Sequence, residues 1–349
     1  MNDRQPLVSI MIPNYNHGEF LDECIKSALD QTYPNTEIVL LDNQSTDKSI
    51  EVAAKYIDRG VRVCQNVRNR LSLSYRILAG QLTNGEFMIL LGADDALQPE
   101  FIERAVNIMT RHPGVGYVHG ERDFFDENGV LTELDPFFDC SFIAPGENLM
   151  PVYMVTTIAH PAQGVFRRSA FERMGGYEME IDHMNADKSL WFYLSSVSDY
   201  AYIRDKMCRI RVSSNTQTAI TVRNFQHPVL CHLTINDFAR FAEQKGLTNV
   251  LKRKNEALGR LANDCLVWSG GSLAANDTLN ARAFLDYAYL LDRSISETEH
   301  WQRLKTMLEA GNVDFEYIKS HDNIFTVRKR GYTPPEGYKL INTKTGELV

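Results

Sequence analysis

Two adjacent carboxylates follow an uncharged apolar run in the first third of the chain. Residues 87–95 read Phe-Met-Ile-Leu-Leu-Gly-Ala-Asp-Asp, so a segment typical of a buried strand ends at Asp94 and Asp95. Two like charges side by side repel each other unless a cation or a hydrogen-bond donor lies between them. Because ligands of open α/β sheets bind at the carboxyl ends of the strands, the pair is a candidate metal and phosphate site.

The elements that would position this pair follow an alternating pattern. Apolar runs predict strands at 7–12, 37–41, 61–64 and 87–91, and helical spacing predicts helices at 20–29, 50–57, 72–83 and 101–109. Such alternation is typical of a parallel sheet with crossover helices. Because polar residues also follow the first two strands, at Asn14 and Asp42, three strand ends are expected to form one crevice.

The second half of the chain has a different pattern. A strand is predicted at 200–212, and residues 226–310 are mostly helical by spacing, with Gly270-Gly271 separating two helical stretches. The residues after 320 are predicted to form an extended arm. We therefore expect an α/β domain at 1–225, with a mostly parallel sheet and flanking helices, and a mainly helical C-terminal region with an extended tail at 226–349.

Composition excludes several classes of function. The 349 residues are 44% hydrophobic and 23% charged, as is usual for a globular protein, and the net charge of −8 disfavours nucleic acid as a partner. Six scattered cysteines without CxxC spacing favour free thiols in a reducing cytoplasm over a zinc site or a disulfide framework. The absence of a signal-peptide pattern and of a long apolar stretch predicts a cytoplasmic protein that does not cross a membrane.

Several segments together resemble a family 2 glycosyltransferase of GT-A fold. The order and spacing of these segments are specific, whereas each alone is a weak signal, and the resemblance covers about residues 6–215. The segments are Val-Ser-Ile-Met-Ile-Pro-Asn-Tyr-Asn at 8–16, Ser-Ala-Leu-Asp-Gln-Thr-Tyr at 27–33, Glu-Ile-Val-Leu-Leu-Asp-Asn-Gln-Ser-Thr-Asp at 37–47, Gly-Glu-Phe at 85–87, Ala-Asp-Asp at 93–95, Gly-Val-Phe-Arg-Arg at 164–168, Gly-Gly-Tyr at 175–177 and Ala-Asp-Lys-Ser-Leu-Trp at 186–191.

The resemblance implies inverting transfer of a sugar from a nucleotide diphosphate donor to an acceptor hydroxyl. On the donor side it implies that Pro13 and Tyr15 line the nucleotide pocket, that Asp42 accepts a hydrogen bond from the base, and that Asp94 lies toward the ribose. Uracil is the base most often expected in this family, so a UDP-sugar is the favoured donor.

For the reaction itself, the resemblance implies that Asp95 binds Mn²⁺ or Mg²⁺ and that Asp187 is the catalytic base. His160 and Gln163 fall where relatives contact the acceptor. Independently of the resemblance, a diphosphate leaving group needs its developing charge neutralised, which a divalent ion held by a carboxylate can do. The attacking hydroxyl needs a proton acceptor within reach, and a carboxylate far from the metal motif can serve.

The chain also departs from the family pattern. Gly92 stands where many relatives carry the first aspartate of the acidic motif, so one ligand is lost. Arg209-Ile210-Arg211 stands where relatives often read Arg-x-His, and Arg211 is expected to supply fixed positive charge to the diphosphate. Arg70 replaces a glycine that is common after the third strand.

Alternative roles stay open for each candidate residue. Asp42 could be a strand-end turn residue, Asp94-Asp95 a cap for the helix that begins near Pro99, and Pro13 and Tyr15 loop geometry only. His160 and Gln163 could equally be packing residues. Asp187 could be a solvated helix residue, with Asp182 or Glu180 as the base. Trp191 and Phe192 are expected in the core rather than as a sugar platform.

Three classes of function follow. The first is a glycosyltransferase of surface polysaccharide or glycoconjugate synthesis, with a saccharide or lipid-linked acceptor. The second is a catalytically silent nucleotide-sugar-binding or scaffold protein, against which the combined aspartates argue. The third, a nucleotidyltransferase, predicts a glycine-rich basic loop that residues 14–18 lack. The C-terminal helices could cover the acceptor site, form homo-oligomers, or dock on a partner enzyme or the inner face of the membrane.

Overall fold

The computed structural model describes residues 5–69, 81–126, 128–176, 186–212, 217–321 and 331–349. The chain divides into two compact units, of which the first comprises Met1–Met150, Thr157–Ser213 and Arg330–Val349 and the second Pro151–Thr156 and Ser214–Lys329. The final residues thus join the first unit, whereas the sequence assigned them to the C-terminal region. The predicted helix at 72–83 falls almost entirely outside the described residues, and Arg70 lies outside them altogether.

The first unit is built on a single sheet. In the described ranges this sheet has eleven strands. They are β1 (Val8–Asn14), β2 (Thr36–Asp42), β3 (Val61–Gln65), β4 (Phe87–Leu90), β5 (Ala96–Leu97), β6 (Val115–Phe125), β7 (Leu131–Thr132), β8 (Phe142–Ala144), β9 (Gly164–Arg167), β10 (Asp199–Arg211) and β11 (Lys339–Leu340).

The sheet is parallel in the region where the sequence predicted alternating strands and helices. Strands β3, β2, β1 and β4 lie side by side and run parallel, with Asn14 opposite Asp42 and Asp42 opposite Gln65. Next to β4 comes β9, which runs antiparallel to both β4 and β6, and β6 is parallel to β10. The carboxyl ends of β1, β2 and β4 therefore meet at one edge, as the sequence predicted.

Helices flank the sheet and make up the second unit. The helices of the described residues are α1 (Leu21–Leu29), α2 (Ser49–Ala54), α3 (Phe101–Arg111), α4 (Met150–Val155), α5 (Arg168–Arg173), α6 (Ala186–Ser195), α7 (Gln217–Arg223), α8 (Gln226–Lys245), α9 (Thr248–Leu251), α10 (Lys254–Ala274), α11 (Thr278–Leu291), α12 (Glu299–Ala310) and α13 (Phe315–His321).

Burial explains why the apolar runs form these elements. In β1, Val8, Ile10 and Ile12 are fully buried and Ser9 on the other face is buried too, as expected of a strand covered on both faces. Helix α1 buries Leu21, Cys24, Ile25 and Ala28, which share one face at helical spacing. The predicted mostly parallel α/β sheet with flanking helices and a helical C-terminal region is confirmed.

One predicted helix boundary in the second unit is wrong. Gly270-Gly271 was expected to separate two helices, but both glycines lie inside α10. A Cβ on Gly270 would stand 3.5 Å from Ile318 and 3.6 Å from Leu304, so the helix surface there is closely covered by other helices. This packing outweighs the helix propensity cost of a glycine pair, about 1 kcal/mol for each residue.

The helices are also short or polar relative to a membrane span. None of those in the described ranges combines the length and the apolar character that crossing a membrane requires.

Candidate active site

Asp42 ties together the ends of three parallel strands. Its carboxylate is fully buried and accepts hydrogen bonds from Asn14 Nδ2 at 2.8 Å, from the backbone N–H of Ser45 at 2.9 Å and from Gln65 Nε2 at 3.1 Å. The Ser45 hydroxyl donates to the same carboxylate at 2.5 Å. Asp42 thus has the strand-end role that the sequence left open, and its contact with a base stays a prediction.

The loop after β1 is held against the loop after β2. Asn16 has a left-handed φ of 57°, its backbone N–H donates to the Ser45 hydroxyl at 2.9 Å, and its side-chain oxygen accepts from the N–H of Thr46 at 2.8 Å. This leaves Tyr15 44% exposed beside half-buried Pro13. An exposed aromatic ring on a fixed loop at the strand ends is a suitable surface for a planar base.

Asp95 lies deeper than Asp94 and is almost completely buried. Its Oδ1 accepts the backbone N–H of Arg211 at 3.0 Å, and its own N–H donates to the carbonyl of Gly92 at 3.0 Å. Its Oδ2 is buried without a hydrogen-bond partner. Burial raises the pKa of Asp95 well above its ordinary value and the neighbouring charge of Asp94 raises it further, while Arg211 acts in the opposite direction.

Gly92 makes room for both carboxylates. A Cβ on this residue would stand 2.5 Å from Asp95 Oδ2 and 3.1 Å from Asp94 Oδ1. The first distance is below van der Waals contact, so any other residue would displace the Asp95 carboxylate. The missing aspartate noted in the sequence is therefore a steric requirement of the conformation that this turn adopts.

His160 approaches the uncompensated oxygen of Asp95. Its Nδ1 lies 3.5 Å from Asp95 Oδ2 and, like that oxygen, is buried without a hydrogen-bond partner. Burial, and after it the charge of Arg122, lowers the pKa of His160 to about 3. Although 42% of the side chain is exposed, the Nδ1 edge is enclosed, and the imidazole is neutral near pH 7.

Gln163 holds the backbone of His160 by a hydrogen bond. Its side-chain oxygen accepts the backbone N–H of His160 at 2.7 Å and a guanidinium N–H of Arg122 at 2.5 Å, and its amide donates to the carbonyl of Gly120 at 2.9 Å. It is buried, with its polar atoms satisfied inside the protein. This arrangement supports the packing role that the sequence left open for Gln163, while acceptor contact stays a prediction.

Arg211 is enclosed at the end of β10. Its guanidinium donates to the main-chain oxygens of Asp94 at 3.1 Å and Asp126 at 2.9 Å, and to the Glu23 carboxylate at 2.9 Å. The rings of Phe20 and Phe125 lie on it, with their centroids 4.1 and 3.9 Å from its central carbon. The side chain is only 5% exposed and its hydrogen bonds brace the acidic turn, while contact with a diphosphate stays a prediction.

Asp187 lies in the first turn of α6 and is half-buried. The helix dipole favours a carboxylate at that end. The helix is anchored by Trp191, which is fully buried and packs edge-on against His119 with ring centroids 4.4 Å apart. The expectation that Trp191 and Phe192 are core residues is confirmed. Asp182 and Glu180, the alternative bases, lie outside the described residues.

Comparison with known proteins finds similarity in both sequence and fold. Residues 9–175 match the model of glycosyl transferase family 2. An uncharacterized glycosyltransferase of Haemophilus influenzae is 34% identical over 131 residues, which cover 37% of this chain and 52% of that protein. The match thus spans about half the length of that relative. Just under half of this chain is thus similar to glycosyl transferase family 2.

Other similar proteins include a polysaccharide synthase. Chondroitin synthase of Escherichia coli is 26% identical over 268 residues, which cover 75% of this chain and 36% of that protein. Among solved structures, Staphylococcus aureus TarS 1–349 with UDP-GlcNAc has a TM-score of 0.53 at 16% identity, covering 83% of this chain and 91% of that chain.

A second solved structure has a similar fold. The mannosyltransferase PcManGT of Pyrobaculum calidifontis, in complex with GDP-Man and Mn²⁺, has a TM-score of 0.51 at 17% identity, covering 93% of this chain and 89% of that chain. At such identities the likeness shows the fold alone. The GT-A fold that the sequence predicted for this chain is therefore confirmed.

The residues around Asp95 fit a divalent cation. Within the described ranges no group of three or more His, Cys, Asp or Glu side chains converges as a complete metal site. However, Asp95 Oδ2 and His160 Nδ1 are buried, uncompensated and close together, and Asp94 adds a second carboxylate beside them. Divalent ions at nucleotide sites take a few protein ligands and complete their coordination with phosphate oxygens and water.

The sequence reasoning missed Glu23. This residue of α1 pairs with Arg211 and also with Arg209, each at 2.9 Å. Its only sequence signal is an acidic residue in the first turn of an amphipathic helix, which is ordinary at that position. The contact depends on the packing of α1 near the end of β10 and could not be read from the pattern.

Proposed function

We propose that this chain is an inverting glycosyltransferase that moves a sugar from a nucleotide diphosphate donor to an acceptor hydroxyl. The observation that carries the proposal is the buried, uncompensated Asp95 carboxylate oxygen beside Asp94, at the carboxyl edge of the parallel strands. Two adjacent carboxylates held there repel one another unless positive charge is bound. A metal-bound diphosphate is the ligand that the similarity to family 2 and this edge of the sheet favour.

The donor nucleotide is assigned to the loops after β1 and β2. Tyr15 offers an exposed ring, and the hydrogen bonds of Asn16 with Ser45 and Thr46 fix the loop that carries it. Asp42 acts in this proposal by holding the strand ends and, through them, the shape of the pocket. A UDP-sugar is the favoured donor, since the structure of TarS carries UDP-GlcNAc, and a GDP-sugar is the alternative suggested by PcManGT.

Asp187 is assigned as the base that accepts the proton of the attacking hydroxyl. Its place in the first turn of α6 favours the ionised form, which is the form a base requires. It belongs to a different element from Asp95, which is compatible with the base on the opposite sugar face that inversion requires. Trp191 fixes the helix that carries it.

Asp95, with Asp94 beside it, would hold the divalent ion. When bound, the ion offsets the negative charge that develops on the leaving diphosphate. The turn at Gly92 and the Arg211 brace keep both carboxylates in place before donor arrives, so little reorganisation is needed during reaction.

The acceptor is proposed to be a saccharide or a lipid-linked saccharide of a surface polysaccharide or glycoconjugate. This rests on the likeness to chondroitin synthase and to Bacillus subtilis TuaG, which is described as a teichuronic acid biosynthesis glycosyltransferase. A lipid-linked acceptor would place the reaction at the inner face of the membrane.

The test is a transfer assay on the full chain with UDP- and GDP-sugars, Mn²⁺ and a panel of oligosaccharide acceptors. We expect one donor to release nucleoside diphosphate and to yield a product whose anomeric configuration, read by NMR, is inverted. Retention of configuration would contradict the inverting mechanism. Tight donor binding without transfer or hydrolysis across the panel would instead support the silent nucleotide-sugar-binding alternative.

A further inference from the structure

Two buried polar atoms in the first unit face each other without a partner. They are Asp95 Oδ2 and His160 Nδ1, which lie 3.5 Å apart. This separation is longer than a hydrogen bond. Leaving a buried carboxylate oxygen and a buried imidazole nitrogen both uncompensated costs free energy, because each has lost its hydration. A bound cation or proton between the two atoms would compensate both of them.

Other atoms of Asp95 and His160 already make hydrogen bonds within the protein. Asp95 uses Oδ1 to accept from the Arg211 backbone, which leaves Oδ2 as its free ligand atom. His160 is held through its backbone N–H by Gln163, so its main chain is anchored by a buried side chain. The Asp95 carboxylate and the His160 backbone are therefore held before any ligand binds.

A divalent cation fits the space between them better than a proton does. Adjacent ligands of an octahedral ion bound at 2.0–2.1 Å lie about 3 Å apart, so a movement of about half an ångström would complete the site. The cation would also offset the repulsion between Asp94 and Asp95. Arg211 at the end of β10 cannot supply a ligand, because a guanidinium has no lone pair available for a metal.

We propose that His160 is a direct ligand of the catalytic metal through Nδ1, together with Asp95 Oδ2. The inference rests on the proposed function, and it assigns His160 to the metal in place of the acceptor. The ligand set has a further consequence. Mg²⁺ demands oxygen ligands, whereas an imidazole nitrogen suits transition metals, so the site should prefer Mn²⁺ over Mg²⁺.

The test is pulsed electron paramagnetic resonance of Mn²⁺ bound to the full chain, with UDP in one sample and GDP in another. We expect echo modulation from one imidazole ¹⁴N in the wild type, with a shift to the ¹⁵N frequency in protein labelled with ¹⁵N-histidine. His160→Gln should abolish the modulation and weaken Mn²⁺ binding at least tenfold, with a smaller effect on Mg²⁺. The control His112→Gln removes a half-buried histidine of the same unit that contacts Gly346 and should change neither.

Circular dichroism and a second variant, His160→Asn, separate loss of a ligand from loss of fold. Modulation that persists in folded His160→Gln, or wild type that binds Mn²⁺ without nitrogen modulation, would overturn the assignment. In that case His160 would be a packing or acceptor residue. The proposed function is tested separately by the transfer assay. Transfer that proceeds in EDTA, or with Mn²⁺ bound through oxygen only, would contradict this inference and leave the proposed glycosyltransferase activity unaffected.

Discussion

Arg211 holds the acidic turn by two contacts. The backbone N–H of Arg211 binds Asp95, and the side chain of Arg211 binds the peptide carbonyl of Asp94. The Arg211 N–H donates to Asp95 Oδ1 at 3.0 Å, and its Nε donates to the carbonyl of Asp94 at 3.1 Å. Strand β5, which follows the acidic turn, pairs antiparallel with β10, with Ala96 opposite Arg209. The acidic turn is thus fixed at its exit by the sheet and at its centre by one buried arginine.

Replacing Arg211 by lysine should destabilise the protein even without nucleotide. Lysine keeps the charge but cannot reach three separate acceptors with a planar fork. We expect the free energy of unfolding to fall by about 1–3 kcal/mol, measured by chemical denaturation.

The control for this variant is Arg209→Lys. Arg209 pairs with the same Glu23 but is 40% exposed, so its replacement should cost less than about 1 kcal/mol. If Arg211→Lys leaves the unfolding free energy unchanged and weakens only nucleotide binding, then the guanidinium serves the diphosphate, as the sequence first suggested.

Replacing Gly92 by alanine should disturb the site while leaving the fold in place. The new Cβ would stand 2.5 Å from Asp95 Oδ2, so this carboxylate must move. We expect weaker Mn²⁺ binding by titration calorimetry and a stability loss of about 1–3 kcal/mol from overpacking. Gly92→Asp should show the same loss, although it restores the acidic residue of relatives.

Gly271→Ala is the matched control for Gly92→Ala. Gly271 lies within α10, and nothing stands within 4 Å of its Cβ position. It should be neutral or stabilising by up to about 1 kcal/mol. Unchanged Mn²⁺ affinity in Gly92→Ala would show that Asp95 is not confined by the glycine.

Replacing Asp187 by asparagine should separate binding from chemistry. Asparagine is isosteric but cannot take up the acceptor proton. We expect kcat to fall by about 10²–10⁴-fold, with the donor Kd changed by less than a factor of about two. Steady-state transfer assays and donor titrations measure the two quantities.

Three variants control for this assignment. Asp30→Asn changes an exposed aspartate just after α1 and should leave transfer unchanged. Asp182→Asn and Glu180→Gln test the alternative bases. Wild-type transfer by Asp187→Asn, with loss in either of the other two, would move the role of base to that residue.

The second unit should lose stability as the pH falls below neutrality. Burial lowers the pKa of His227 to about 4, and burial followed by His321 lowers the pKa of His300 to about 4. Because the unfolded chain binds protons from about pH 6.5 downward, the stabilisation is complete above that pH and is lost toward pH 4. His227 packs against Cys231 and Trp268, and burial is the cause of its lowered pKa.

His227→Gln removes one of these titrations. We expect the slope of Tm between pH 7.5 and 5.5 to become shallower than in wild type, although His300 keeps part of it. His17→Gln, at a half-buried histidine of the first unit, is the matched control for a histidine-to-glutamine change. An unaltered slope in His227→Gln would show that this imidazole titrates normally.

The local sequence pattern was sufficient to predict the strands and helices that surround the site. The apolar runs that predict strands at 7–12, 37–41, 61–64 and 87–91 correspond to β1–β4 within about two residues, because burial on both faces leaves a continuous apolar signature. The same local information failed at Gly270-Gly271. There the contacts with Ile318 and Leu304 come from helices much later in the chain.

The sequence by itself determined that Asp94 and Asp95 stand at the end of a buried strand, in the order typical of family 2. Only the tertiary structure decided which groups meet them. Strand β9 enters the sheet antiparallel next to β4, just after the turn that carries His160, and β10 brings Arg211 to the same carboxylate. Propensity and periodicity describe neighbours along the chain, whereas these contacts arise from strand pairing between distant segments. The acidic pair was therefore predictable from the sequence, whereas its contacts with His160 and Arg211 were not.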